Sequence, residues 1–178
     1  MKVLLINASP RKNGAAQAIL DGIATELGDA CEQLRLSDCA VNYCLGCKRC
    51  CETVRCVQRD GMEQILQQIE AADSIVIASP SYWGDITGQL KVFIDRCTPY
   101  CNTHTPHASL PGGKRGYAVA LRTGTSPGEC VHIIGSIEHF FGHLDIPLAG
   151  QIYFCGIENA ADIEPHVDEI RCFARSIT

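Results

Sequence analysis

Cys44, Cys47, Cys50 and Cys56 stand in a C-x2-C-x2-C-x5-C pattern, with Cys51 as an extra thiol inside it. Cysteines two residues apart can turn their sulfurs toward one metal centre. Three such thiolates plus a fourth after a short loop suit a cubane [4Fe–4S] cluster. The spacing differs from the bacterial ferredoxin run, whose last cysteine follows three residues and precedes proline. The two separated C-x2-C pairs of a zinc ribbon are missing. Lys48, Arg49 and Arg55 would offset the negative charge of a thiolate-bound cluster. Zinc also accepts thiolates, and a reduced loop packed at a subunit interface needs no metal. The cluster is the expectation; structural zinc and a metal-free loop stay open beside it.

A second chemistry is suggested by Ser9-Pro10-Arg11-Lys12-Asn13-Gly14, which follows the apolar run Val3-Leu4-Leu5-Ile6. A turn between a buried strand and a helix N-terminus favours an anion, through backbone N–H groups and the helix dipole. Ser9 adds a hydroxyl, Arg11 and Lys12 add charge, and Gly14 allows close approach. The pattern is neither G-x-x-x-x-G-K-[ST] nor G-x-G-x-x-G, so triphosphate and dinucleotide fingerprints are absent. An ordinary turn carrying a solvated basic pair is the alternative.

Ser79-Pro80-Ser81-Tyr82-Trp83-Gly84-Asp85 follows the apolar run Ser74–Ala78 and holds the only tryptophan. A planar, partly apolar ligand such as isoalloxazine wants an aromatic wall with backbone donors and acceptors. Tyr82 and Trp83 as packing residues are the plainer alternative.

These loops need a scaffold. Val3–Ile6, Glu32–Leu36, Ser74–Ala78, Tyr117–Leu121 and Ile152–Cys155 read as five strands, three of them continuous apolar runs. Helical spacing links Ala18, Ile19, Ile23 and Leu27, closed by Gly28. It recurs over Met62–Ile69, over Thr87–Cys97 with Thr87 as a candidate cap, over Ile133–Leu144, and over Val167–Phe173. Residues 38–60 read as irregular and cysteine-rich. Alternation of strand and helix predicts a doubly wound, three-layer α/β/α fold with a parallel sheet. Five strands fit the flavodoxin-like order 2-1-3-4-5, with a ligand crevice where strands 1 and 3 diverge.

Ser9–Gly14 and Pro80-Ser81-Tyr82-Trp83-Gly84-Asp85-Ile86-Thr87-Gly88-Gln89-Leu90-Lys91-Val92-Phe93-Ile94-Asp95-Arg96 closely resemble the NADPH-dependent FMN reductases and the iron–sulfur flavoproteins. The resemblance covers essentially the whole chain. It implies an FMN-dependent oxidoreductase with NAD(P)H as a reductant. Ser9, Arg11, Lys12, Asn13, Gly14, Ala15 and Ala16 would then surround the FMN phosphate. Pro80, Ser81, Tyr82, Trp83, Gly84 and Asp85 would line the ring, and Thr123 and Gly124 would close the site. The resemblance also implies that Cys44, Cys47, Cys50 and Cys56 hold the cluster. One departure is Ala15-Ala16, where relatives carry Asn-Thr. The side-chain phosphate ligands are missing there and backbone N–H groups remain, so weaker FMN binding is expected. No side chain need act as acid or base, since the flavin carries the chemistry.

Three functions follow: electron transfer through FMN and a [4Fe–4S] cluster; a cluster-free NAD(P)H-dependent FMN or quinone reductase; or a non-enzymatic module with structural zinc. The 178 residues fit one domain, 1–178. A net charge of −5 without a basic run argues against nucleic acid as a partner. No apolar stretch reaches the ~18 residues a bilayer span needs. A strand beginning at Val3 leaves no room for a signal peptide, so a cytoplasmic location is expected. Small-molecule or protein electron donors and acceptors are the expected partners. A homodimer or homotetramer is implied by the resemblance. The scattered cysteines (31, 39, 97, 101, 130, 155 and 172) read as small buried hydrophobes. His104 and His107 are not expected to aim at one metal, because Pro106 breaks any helix between them.

Overall fold

A computed structural model describes residues 1–177. The strands are β1 (Val3–Asn7), β2 (Cys31–Arg35), β3 (Ser74–Pro80), β4 (Arg115–Leu121) and β5 (Leu148–Phe154). The helices are α1 (Ala15–Leu27), α2 (Cys50–Thr53), α3 (Met62–Ala71), α4 (Gly88–Arg96), α5 (Gly128–His143) and α6 (Val167–Arg175). The sheet is parallel throughout, in the order β2-β1-β3-β4-β5. That is the flavodoxin-like order expected from the alternation.

Strand periodicity of two splits the apolar runs between two cores. Leu4, Ile6, Ile75 and Ile77 face a core completed by α3, α4 and α5. Val3, Leu5, Val76 and Val119 face the other, completed by α1 and α6. Each fully buried Leu, Ile or Phe contributes about 1.5–3 kcal/mol by leaving water, so the central strands anchor the fold. At Gly116 a Cβ would come within 2.5 Å of the Phe141 ring. Glycine there lets α5 lie close on β4.

Several boundaries differ from the sequence reading. β2 spans Cys31–Arg35, and Leu36 begins a short 3-10 turn. β5 starts at Leu148, earlier than its apolar run, because backbone pairing with β4 carries it. Thr87 is the cap rather than the first residue of α4: its Oγ1 accepts from Leu90 N at 3.2 Å. The stretch 38–60 is not wholly irregular, since it contains α2. The 98–114 loop begins with a 3-10 turn, Thr98–Tyr100.

Candidate functional site

The carboxyl ends of β1, β3, β4 and β5 open onto a cleft of about 620 Å³. Its first wall is the turn after β1. Asn7 closes that turn by accepting from Ser9 N at 2.8 Å, and Ser9 Oγ accepts from Arg11 N at 3.2 Å. α1 then starts at Ala15 with no acidic residue in its first turn. Its N-terminal N–H groups therefore face the cleft without competition from a fixed anion. Arg11 Nη1 donates to Glu158 O at 3.1 Å, joining this turn to the segment after β5.

The second wall follows β3. Tyr82 N donates to Asp85 O at 2.9 Å and Asp85 N to Tyr82 O at 3.2 Å. This closes a two-residue turn with Trp83 at φ 55° and Gly84 at φ 80°. Positive φ at both central positions suits glycine and strains tryptophan by roughly 1–2 kcal/mol. The turn holds the Trp83 indole out at 104 % relative exposure. Thr87 Oγ1 donates to Ala8 O at 2.8 Å, so the α4 cap also ties this loop to β1.

The third wall comes from β4 and α5. Glu129 accepts from Ser81 Oγ at 2.5 Å and pairs with Arg122 Nη2 at 3.0 Å. Arg122 Nη1 donates to Ser126 O at 2.7 Å. The guanidinium folds back so far that a Cβ on Gly124 would lie 2.3 Å from Nη2. Gly124 thus serves Arg122 and does not line the cleft.

Of the residues named from sequence, Ser9, Arg11, Ala15, Ala16, Pro80–Gly84 and Thr123 are brought together as cleft walls. Lys12, Asn13, Gly14, Asp85 and Gly124 are not among its lining residues. Gly14 is the α1 N-cap residue, and a Cβ there would meet Arg11 Cβ at 3.0 Å. Arg122, Glu129, Ile157 and Glu158 line the cleft without having been assigned a role. The signal available for them was position alone, since they follow β4 and β5 at the edge where open α/β sheets bind ligands.

The cysteine loop lies outside this cleft and runs along α4: Asn42 and Tyr43 line a groove with Gly88, Gln89, Val92 and Phe93. Gly61 N donates to Ala40 O at 2.9 Å and Asn42 N to Asp60 Oδ2 at 3.0 Å, closing its neck. Arg96, at the last turn of α4, holds both sides of that neck. Its Nη1 donates to Asp60 Oδ2 at 2.6 Å and to Asn42 O at 2.8 Å, and its Nη2 to Asp60 Oδ1 at 3.0 Å. The two side chains are only 1 % and 6 % exposed. The bidentate guanidinium, with N–H donors from Asn42 and Met62, holds the Asp60 carboxyl down at about 2.

Within the loop, Cys44 and Cys47 are exposed and Cys50, Cys51 and Cys56 half-buried. Cys51 and Cys56 lie close enough to Cys50 to push its thiol up, after burial itself. No group of three or more His, Cys, Asp or Glu side chains converges on one point among the described residues. The four cysteines named from sequence are therefore neighbours on one loop, not a gathered set. Elsewhere, burial pushes the Cys97 and Cys130 thiols up, Cys130 to about 12 with Cys155 beside it. These two behave as the buried hydrophobes expected, whereas Cys172 is exposed. His107 Nδ1 meets His104 O, not a shared ligand point.

Residues 1–169 match the family described as NADPH-dependent FMN reductase. The chain belongs to this family. Relatives include an iron–sulfur flavoprotein of Archaeoglobus fulgidus, 38 % identical over 132 residues, which are 72 % of this chain and 58 % of the relative. Another, from Methanocaldococcus jannaschii, is 29 % identical over 153 residues, 84 % of this chain and 76 % of the relative. The chain spans about half the length of several such relatives, with 58 %, 53 % and 48 % covered in three of them. Among solved structures, an FMN-dependent NADH-azoreductase of Bacillus anthracis in complex with FMN has a TM-score of 0.70 at 18 % identity, over 98 % of both chains. A quinone reductase fold from Klebsiella pneumoniae has a TM-score of 0.72 at 16 % identity, covering 99 % of this chain and 84 % of that one. Both share the fold.

The cleft of this FMN reductase family member fits a flavin mononucleotide on its own chemistry. An α-helix N-terminus and Arg11 meet at one end, and an exposed indole stands at the rim. The cysteine loop fits a thiolate-bound cluster by its donor set. Gly46, at φ 62°, turns its N–H onto Cys44 Sγ at 3.5 Å, the kind of contact that stabilises a thiolate ligand. Residues 41–49 carry no regular structure, so Cys44 and Cys47 are not locked away from Cys50 and Cys56.

Proposed function

We propose that this chain is an FMN-dependent redox flavoprotein that transfers electrons through FMN and a [4Fe–4S] cluster in its cysteine loop. The observation that carries the reading is the cleft at the carboxyl edge of the sheet. It pairs a helix N-terminus free of acidic side chains with an aromatic rim. The phosphate would sit at Ser9, Arg11 and the α1 N–H groups. Ala15 and Ala16 offer only backbone there, which leaves Arg11 as the nearby charge. The ring would lie along Pro80–Gly84, with Thr123 beyond it. Bound FMN supplies two-electron exchange with NAD(P)H and one-electron exchange with a second partner. The protein's part is to bind, to orient and to exclude water; Glu129 holds Ser81 and Arg122 in place while it does so.

Cys44, Cys47, Cys50 and Cys56 would hold the cluster, whose chemistry is a one-electron outlet. The names of the iron–sulfur flavoprotein relatives support this reading. Donors and acceptors are small molecules or proteins. A cytoplasmic location and an assembly of two or four copies complete the reading. No helix among the described residues is long and apolar enough to cross a membrane.

The test is to purify the protein anaerobically and assay flavin, iron and acid-labile sulfide per chain. Flavin with about four irons supports the reading. Flavin with less than one iron per chain overturns the cluster and leaves an NAD(P)H-dependent FMN or quinone reductase. Absence of flavin with bound zinc overturns both.

A further inference from the structure

Arg96 carries more than the fold requires of it. It ends α4 and is almost completely buried, and three of its hydrogen bonds go to Asn42 O and Asp60. Its Nε is buried with no hydrogen-bond partner among the described residues. An orphaned N–H on a buried guanidinium costs about 1–3 kcal/mol or more, so it calls for an acceptor. One acceptor on its cavity is a sulfur. Cys56 and Arg96 line the same cavity of about 370 Å³. No hydrogen bond joins the Cys56 thiol to the guanidinium here; what the two share is the wall of that cavity. A neutral thiol is a weak acceptor, whereas a charged thiolate is a strong one. The site is therefore better completed by a metal-bound Cys56 than by a free one.

We infer that Arg96 is a positioning residue for the cluster: it donates an N–H···S hydrogen bond to the Cys56 ligand while clamping the neck of the loop through Asp60. This rests on the cluster reading above and deepens it. Hydrogen bonds to ligand sulfurs, and positive charge beside them, stabilise the reduced, more negative cluster and raise its potential. Asp60 works against that by neutralising the same guanidinium. Arg96 and Asp60 thus have opposite electrical effects at Cys56 although both hold the loop mechanically. The remaining charges on this cavity are Arg55, Arg59, Glu63 and Glu70. Arg59 is engaged by Glu63, and Glu70 accepts from Tyr100 Oη at 2.8 Å. Arg96 is the buried cation among them.

The experiment is a spectroelectrochemical titration of the cluster in the intact holoprotein, for the wild type and for Arg96→Gln, Arg96→Lys and Asp60→Asn. The expected result is a lower potential in Arg96→Gln, a smaller lowering in Arg96→Lys, and a higher potential in Asp60→Asn. FMN content should stay unchanged, since none of these residues touches the flavin cleft. A loop that merely loosened would move all three variants in one direction. If Arg96→Gln does not fold, the opposed shifts of Arg96→Lys and Asp60→Asn carry the test. Iron-loaded variants with the wild-type potential, or shifts of a single sign, overturn the inference and leave the cluster reading standing. Wild-type protein without iron and sulfide overturns both.

Discussion

Ser81 Oγ and Glu129 Oε2 meet at 2.5 Å, although 48 residues separate them in the chain. The contact joins the loop after β3 to the first turn of α5. Glu129 also fixes Arg122, so one carboxylate sets two of the cleft's walls. Glu129→Ala should release Ser81 and leave Arg122 without its counter-charge. A charge-assisted hydrogen bond contributes about 1.5–3 kcal/mol, and partial exposure reduces that to roughly 1–2 kcal/mol. Glu129→Gln keeps an acceptor for Ser81 and should lose less. Thermal unfolding of the apoprotein measures both, and equal losses would show that the Ser81 contact carries no weight.

Trp83 is the only tryptophan, and it is fully exposed. FMN binding should cover it and quench its fluorescence. Trp83→Ala should weaken FMN binding about three- to tenfold, the worth of an aromatic stack beyond its buried area. Trp83→Phe should retain most of the affinity. Titration of apoprotein with FMN, read by flavin fluorescence, decides it; unaltered affinity in Trp83→Ala would place the ring elsewhere.

Thr87 does two things with one hydroxyl. It donates to Ala8 O and accepts from Leu90 N. Thr87→Val keeps the shape and loses both bonds, one of them to a buried carbonyl. The expected loss is about 1–3 kcal/mol of stability, together with weaker FMN binding through the displaced loop. Thr87→Ser should behave almost as wild type. Urea unfolding with and without FMN separates the two effects.

Asp60 gives the fold an acid limit. Its carboxyl is lowered from 3.8 to about 2 by the Arg96 guanidinium. A depressed folded-state value means that ionised Asp60 stabilises the fold above pH 4. That stability, about 2 kcal/mol, is lost as pH falls from about 4 to 2. Asp60→Asn should lose it at neutral pH and flatten the acid limb of the stability curve. Urea midpoints between pH 2.5 and 7 test this, and parallel curves for both proteins would contradict it.

Much of this molecule was legible before its structure. The doubly wound fold followed from buried strands alternating with amphipathic helices, because periodicity and turn chemistry are local properties of the chain. Ser9–Ala16 and Pro80–Gly84 could be placed at one sheet edge because every β-to-α connection of a parallel sheet emerges there. The cysteine spacing named its own donor set. What tertiary structure decided is which distant groups meet. Glu129 and Glu158 carry no motif, and they join the cleft only because β4 and β5 deliver them to the same carboxyl edge of the sheet as β1 and β3. Arg96 belonged to a stretch read for flavin, yet its side chain serves the cysteine loop. A helix of nine residues is about 13 Å long, so Arg96 in its last turn stands well away from the Thr87 cap beside the cleft. Such pairings depend on chain crossings that no spacing within one segment encodes. They determine which charges are buried together, and so the chemistry each site can support.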